Sequence, residues 1–543
     1  MSTRATVAFA AFLFAAGAAF AGEPPTFVFT DVNESSGLRP HLQDSLNHAV
    51  AWGDFDGDGR PDLFLGNFCD RGNSPMKPQI GAAGSVPNGL YRQASRGKFF
   101  RVPMPSMETR GRTSGAVFAD LDNDGDLDLF INNNKHERVS ERGAKNEPSA
   151  LYRNDGGQFV NVSKESGACP EDAAFGRDVG LFDYDGDGLL DLFVVEDRVF
   201  RPKAHSRLYR NLGGMRFEDV TAKVGLPDDI DGFGIAVADL NDDGRPDFFV
   251  CGMTPRLFLS QPGGKYKEAE ALRPLFDVHS RSREEYVCGA AFGDIDNDGD
   301  MDLITGTHFA DSRIRVYLND GLRDGVPQFR DVTAALGIPT LPVKAPSCAI
   351  ADFDNDGLPD LYWSAWFVEG PKREPFICRG LGVRDGLPRF AVPPLAGLDM
   401  GLVRQNGVPE GRRGMVYFVD GPPVDFDGDG RLDFFIGSWG REGSHLMHNE
   451  SPNVAGGLDV ALVGARMNRM GIGAKVRLFA DGKLLGFREI SINGGYSGSA
   501  CPVAHFGLGS VRAADVEVSL PGRTAVIRVS GAKANQRLLV TEK

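Results

Sequence analysis

Past the first twenty residues, apolar positions fall in short runs separated by polar stretches rich in Gly, Asp and Asn. One run, such as Ile235-Ala-Val-Ala238 or Val117-Phe118-Ala119, precedes an acidic loop. A second, such as Leu63-Phe-Leu65, Leu192-Phe-Val-Val195 or Phe434-Phe-Ile436, follows it. Two apolar runs joined by a Gly/Asp loop predict a β-hairpin. A third run comes next (Leu90-Tyr91, Leu151-Tyr152, Leu208-Tyr209, Val316-Tyr317). A fourth often reads Phe-x-Asp-Val-Thr, as at Phe217 to Thr221 and Phe329 to Thr333. Four strands per unit of about 60 residues is the anatomy of a propeller blade. Seven such units predict an all-β, seven-bladed β-propeller. Phe29-Thr30-Asp31-Val32 resembles a fourth strand with no loop before it, and the seventh unit stops after its third run, near His448. The N-terminal strand is therefore expected to complete the last blade and remove the edge that an open array would expose.

The acidic loops share the form D-x-[DN]-x-D-G-x-x-D, and successive copies start 55 to 73 residues apart. Positions 1, 3, 5 and 9 hold Asp54, Asp56, Asp58 and Asp62 in the first copy and Asp120, Asp122, Asp124 and Asp128 in the second. The third holds Asp183, Asp185, Asp187 and Asp191, and the fourth Asp239, Asn241, Asp243 and Asp247. The last three hold Asp294, Asp296, Asp298 and Asp302; Asp352, Asp354, Asp356 and Asp360; and Asp425, Asp427, Asp429 and Asp433. Carboxylates converging in one tight loop repel unless a positive charge sits among them. Hard oxygen ligands, with a backbone carbonyl near position 7, suit Ca²⁺ better than Mg²⁺, which prefers to keep its waters. Position 6 is always Gly, where the chain must turn sharply, and position 4 is Gly, Asn or Asp, the types that best tolerate left-handed backbone. An EF-hand would need Glu at position 12 and a helix after it. Position 12 holds Leu65, Ile131, Val194, Val250, Thr305, Trp363 and Ile436 instead, so that alternative is rejected. At about 1 mM free ion and a dissociation constant near 0.1 mM, each site would add roughly 1.4 kcal/mol, so up to seven ions read as structural.

The tail is β-rich in a different way. Alternating residues 474–478, an Asp481-Gly482 turn and residues 486–490 predict a hairpin. Further runs at 514–518, 524–529 and 538–540 complete a small β-sandwich. At the other end, Arg4, an apolar run over residues 5–20 and Ala19-Phe20-Ala21 describe a secretory signal peptide. The expected organisation is a signal peptide at 1–21, the propeller at 22–452 and the sandwich at 453–543. The Asp loops between hairpin strands resemble the FG-GAP/VCBS repeats of integrin-α-type propellers. Gly471-Ile-Gly-Ala-Lys-Val476, Gly494-Gly495-Tyr496, His505-Phe-Gly-Leu-Gly509 and Ala534-Asn535-Gln536 resemble the ASPIC/UnbV domain, with Cys501-Pro502 standing where a more polar turn is expected. Together they resemble the secreted cartilage-acidic-protein-like family, which implies calcium binding and a role in adhesion or carbohydrate recognition.

Composition narrows the partners. Lys and Arg number 59 against 74 Asp and Glu, a net charge of −15, which argues against a nucleic-acid ligand. Seven widely spaced cysteines form no C-x-x-C pair, and one or two disulfides are left open. No later run is long enough for a stable membrane span, so a secreted, periplasmic or cell-surface location is expected, with an extracellular glycan or protein as partner. Six residues past each closing Asp, on the face opposite the loops, stand Phe68, Asn134, Asp197, Met253, His308, Trp366 and Trp439. Phe68, Asn134, Asp197, His308, Trp366 and Trp439 are the ligand-face candidates; they either stack on a ligand or pack between blades. The insertions around residues 67–89 and 132–149 are expected to overhang that face. No catalytic set emerges: Ser497 lacks a nucleophile-elbow context, and His445 and His448 read as a surface pair rather than a zinc site. The expected function is a non-catalytic recognition module. The alternative is a calcium-dependent polysaccharide lyase or hydrolase, with Glu196, Asp197 and His205 as its nearest acid/base group.

Overall fold

The computed structural model describes residues 27–43, 45–69, 86–135, 147–170, 175–198, 204–279, 285–309, 313–338, 344–365, 376–393, 395–396, 418–438, 443–452 and 455–543. The expected signal peptide, Trp366, Trp439 and most of both insertions lie outside these residues.

Each acidic loop joins two antiparallel strands in one register. The residue before position 1 faces position 9: Gly53 pairs with Asp62, Ala119 with Asp128, Phe182 with Asp191, Ala238 with Asp247, Gly293 with Asp302 and Ala351 with Asp360. In the seventh copy a bridge joins Val424 to Asp433. The first hairpin, Asn47–Gly53 and Asp62–Asn67, continues into Gly89–Ser95 and Lys98–Val102, giving four antiparallel strands. Among the described residues the same order recurs in the next five units. The seventh, built from Phe418–Asp420, Phe434–Ser438 and His445–Asn449, takes its outer strand from the N-terminus: Phe29, Thr30 and Asp31 of Phe27–Asp31 pair antiparallel with Asn449, His448 and Met447. One difference concerns the Phe-x-Asp-Val-Thr runs, where the strand ends at the Asp. Its carboxylate accepts the N–H two residues on (Asp219 from Thr221, Asp331 from Thr333) and turns the chain, and Thr221 and Thr333 hydroxyls then accept N–H groups of the third strand.

Packing joins the sheets side by side. Phe64 and Leu90 of the first share a core with Phe118 and Leu129 of the second. Val117 and Phe130 of the second meet Leu181 and Leu192 of the third, and so on through the sixth and seventh, which share Tyr362, Ile377, Phe434 and Ile436. Phe435 and Leu446 of the seventh in turn pack on Val50 and Leu63 of the first. The tail supplies two further sheets. Gly457–Val463, Ala504–Gly507 and Gln536–Thr541 form one, and Lys475–Ala480, Lys483–Glu489, Ala513–Ser519 and Val526–Lys533 the other. Val460, Leu462, Val476, Leu478, Val516 and Val518 close the core between them. Five of the seven cysteines are buried, and Cys251, Cys348 and Cys378 sit in apolar clusters between the sheets.

Candidate metal centres

Backbone conformation sets each loop before any ligand is considered. All seven glycines at position 6 have φ between +77° and +105°, and their N–H groups donate to the position 1 carboxylate, as Gly59 does to Asp54 at 2.7 Å and Gly357 to Asp352 at 2.8 Å. Position 4 is left-handed in every copy, including Asn123, Asp242, Asn297 and Asn355. The closing Asp has a separate duty. Asp62 accepts Phe55 N–H at 3.0 Å on one oxygen and Gln93 N–H at 2.7 Å on the other, tying the loop to the third strand. The other six closing acids do the same; Asp191 accepts Tyr184 and Asn211, and Asp433 accepts Phe426 and Asn449.

Oxygens of the loop acids also converge, those of the closing Asp191 and Asp302 among them. Asp54, Asp56 and Asp58 can bring one oxygen each within 4.8 Å of the others, as can Asp120, Asp122 and Asp124; Asp183, Asp185 and Asp191; and Asp294, Asp296 and Asp302. Several oxygens here are buried and meet no hydrogen-bond donor: Oδ1 of Asp56, Asp120, Asp122 and Asp296. A buried acceptor without a donor is costly, and a hard cation relieves it. Protonation is the alternative. Burial, reinforced by the neighbouring acids, lifts Asp120 and Asp183 to about 6 and Asp294 and Asp352 to about 7. Burial lifts the closing Asp62, Asp128 and Asp247 to about 8. The donor set therefore fits a hard divalent ion.

The seventh loop differs. His448 Nε2 lies 3.4 Å from Asp427 and 3.3 Å from Asp429. Against the effect of burial, hydrogen bonds from His448 and Arg431 draw Asp429 down to about 2. His445 is buried and pairs with Asp31 at 2.7 Å. The two histidines are thus not a surface pair: one holds the N-terminal strand and the other serves the loop.

The opposite side of the sheets is less open than the ligand-face reading expected. Phe68, Asn134, Asp197 and His308 are all buried. Phe68 bridges to Arg112 and Asn134 to Phe175, each at the start of the next unit. Phe68 stacks on His48 at 4.2 Å between ring centres, and Asp197 pairs with Arg177 at 2.5 Å. Phe233 of the fourth unit stacks face to face on Tyr286 of the fifth at 3.8 Å, and Tyr286 stacks on His308 of its own unit at 4.7 Å. Phe68, Asn134, Asp197 and His308 thus form packed contacts within and between units rather than an exposed ligand surface. Glu196 does approach His205, whose backbone N–H it accepts at 3.2 Å.

A feature that sequence reading missed is the cover over the loops. The C-terminal sheets lie on them. Arg469 Nε is 3.4 Å from Asp120, Lys475 Nζ 2.9 Å from Asp239, and His505 Nε2 2.8 Å from Asn355 Oδ1. Residues 491–503 then descend between the innermost strands. Asn493 exchanges two hydrogen bonds with Leu181, Gly495 two with Ala290, and Gly498–Ser499 pairs with Val50 and Ala51. Tyr496, at the tip, is buried 5.4 Å from the His48 ring. The Gly494-Gly495-Tyr496 triplet was the only signal for this insertion.

Two families match the chain: one described as ASPIC and UnbV over residues 464–543, and one described as FG-GAP-like repeat over residues 183–250 and 294–363. Cartilage acidic protein 1 of Xenopus tropicalis is 25% identical over 534 residues, covering 93% of this chain and 75% of its own. The Homo sapiens protein of that name is 26% identical over 525 residues, covering 92% and 73%. An exo-β-1,3-galactanase structure from Phanerochaete chrysosporium aligns at TM-score 0.30 and 12% identity over 64% of this chain and 86% of its own, too distant to bear on function.

Proposed function

We propose that this chain, a homologue of cartilage acidic protein 1 carrying FG-GAP-like repeats and an ASPIC/UnbV domain, is an exported, calcium-stabilised recognition module. In this reading residues 22–452 form a closed seven-bladed propeller and residues 453–543 a β-sandwich docked on its loop face. Support for closure comes from the cores shared by neighbouring sheets, from the seventh sheet packing on the first, and from the N-terminal strand that fills the last sheet. The observation that carries the calcium reading is the set of buried carboxylate oxygens that meet no donor inside loops of one repeated geometry. Calcium fits because it accepts six to eight oxygens in a flexible shell.

With the loop face covered, the opposite face is the one left for an extracellular glycan or protein. Asp197 is buried and engaged by Arg177, and the buried His308 ring stacks on Tyr286 with Lys344 Nζ 3.1 Å from its Nδ1, which favours recognition over a lyase or hydrolase. A glycan and matrix-protein array in millimolar calcium tests the proposal. Binding should disappear in excess chelator and in Trp366→Ala or Trp439→Ala, with no reducing ends released. Cleavage of a bound polysaccharide that is lost in Asp197→Asn would overturn it in favour of the enzyme.

A further inference from the structure

The fourth loop departs from the others twice. It alone has an amide, Asn241, at position 3. It also receives a buried cation from the C-terminal sheets. Lys475 opens the strand Lys475–Ala480, which is paired on both sides, with Glu489 and Ser519 as its cross-strand neighbours. Its Nζ lies 2.9 Å from Asp239 Oδ2 and 2.5 Å from Asp242 Oδ1, and its side chain is 8% exposed. Glu489 Oε2 accepts the Asp239 N–H at 3.1 Å and holds the loop against that strand. The position 1 carboxylate is further occupied by Gly244 N–H at 2.8 Å and Asp243 N–H at 3.0 Å.

Other loops also meet cations, but among the described residues none of these is both buried and in ion-pair contact from the C-terminal sheets. Arg469 at Asp120 is 47% exposed, and Arg379, 17% exposed at Asp354 and Asp356, stands on the third strand of its own unit. Arg92 reaches Asp56 and Asp58, and Arg210 reaches Asp185 and Asp187, from the third strand of the same unit. Their side chains are 45% and 37% exposed and can swing into water when an ion takes the carboxylates. Lys475 has no such exit, because its backbone lies inside a sheet and its stem is enclosed. An ammonium supplies one positive charge and three donors, which suits a loop that has lost one carboxylate.

We propose that the fourth loop binds no calcium, and that the Lys475 ammonium takes the ion's place as a fixed cation that pins the C-terminal unit to the ring of sheets. The proposal rests on the calcium reading of the other loops, and calcium stoichiometry tests the two separately. Bound ion is counted by equilibrium dialysis and elemental analysis of the full chain in millimolar calcium. Asp56→Asn should lower the count by one against the native protein, whereas Asp243→Asn, nearly isosteric, should leave it unchanged. The double variant Asn241→Asp, Lys475→Met should gain one ion. Loss of an ion in Asp243→Asn equal to that in Asp56→Asn would overturn the fourth-loop proposal and leave the calcium reading intact. A native count of zero would overturn both.

Discussion

Asp56 and Asp62 belong to the same nonapeptide yet do different work. Asp62 is satisfied without a metal, since two backbone N–H groups point at its two oxygens. Asp56 has a buried oxygen that no donor reaches. The sequence motif treats both as ligands; only the hydrogen bonds separate them. Asp62→Asn replaces one acceptor by a donor and strands a buried N–H, at a cost of about 1–3 kcal/mol. That loss should be present in calcium and in chelator alike. Asp56→Asn should destabilise by roughly 1–2 kcal/mol in calcium, where a ligand is lost, and be neutral or stabilising in chelator, where a repulsive charge is removed. Urea midpoints under both conditions check this, and equal losses for Asp56→Asn in the two would contradict it.

At the scale of the loop and its hairpin, the acids act as a group whose charge depends on what they surround. Their folded-state values, about 6 for Asp120 and Asp183, about 7 for Asp294 and Asp352 and about 8 for Asp62 and Asp128, all lie above the ordinary carboxylate range. An acid whose folded pKa is raised stabilises the fold below about pH 4 and loses that contribution as pH rises through its folded value. The chelated protein should therefore weaken between pH 4 and pH 8, whereas calcium holds the carboxylates ionised and removes the dependence. The gap in melting temperature between calcium and chelator should widen from pH 5 to pH 8, reaching roughly 10 °C. A gap that is the same at both ends would rule this out. The hairpins themselves were legible from alternating apolar runs and the Gly at position 6. The end of the fourth strand was not, because Asp331 in Phe-x-Asp-Val-Thr reads equally well as a strand residue or as the acceptor that turns the chain.

For the whole molecule, the C-terminal sheets change the meaning of both faces. They cover the loops with Arg469, Lys475 and His505 and send Tyr496 down among the innermost strands, where it meets His48. Tyr496 is buried there, so Tyr496→Ala should cost about 3–5 kcal/mol, as truncation of a buried aromatic does. Residues from several units line its site, and the loss should therefore lower the transition of the whole chain rather than of the tail alone. Calorimetry distinguishes these, and an unchanged main transition would show that the insertion is ornamental. The apolar pattern of the tail announced strands and a core. It carried no sign of docking, because docking is written in lone cations and a Gly-Gly-Tyr tip rather than in a periodicity.

The sequence alone determined the repeat, the hairpins, the left-handed loop positions and the N-terminal strand in the last sheet. Each of these follows from local chemistry: alternation of apolar side chains, the freedom of Gly, and carboxylates spaced to converge. Only the tertiary structure decided which acids are already satisfied, that Phe68, Asn134, Asp197 and His308 are buried contacts, and that Lys475 reaches the fourth loop. Lys475 is 236 residues from Asp239 in the chain. Contacts between groups that far apart depend on which surfaces meet, and the surfaces exist only once the sheets have packed.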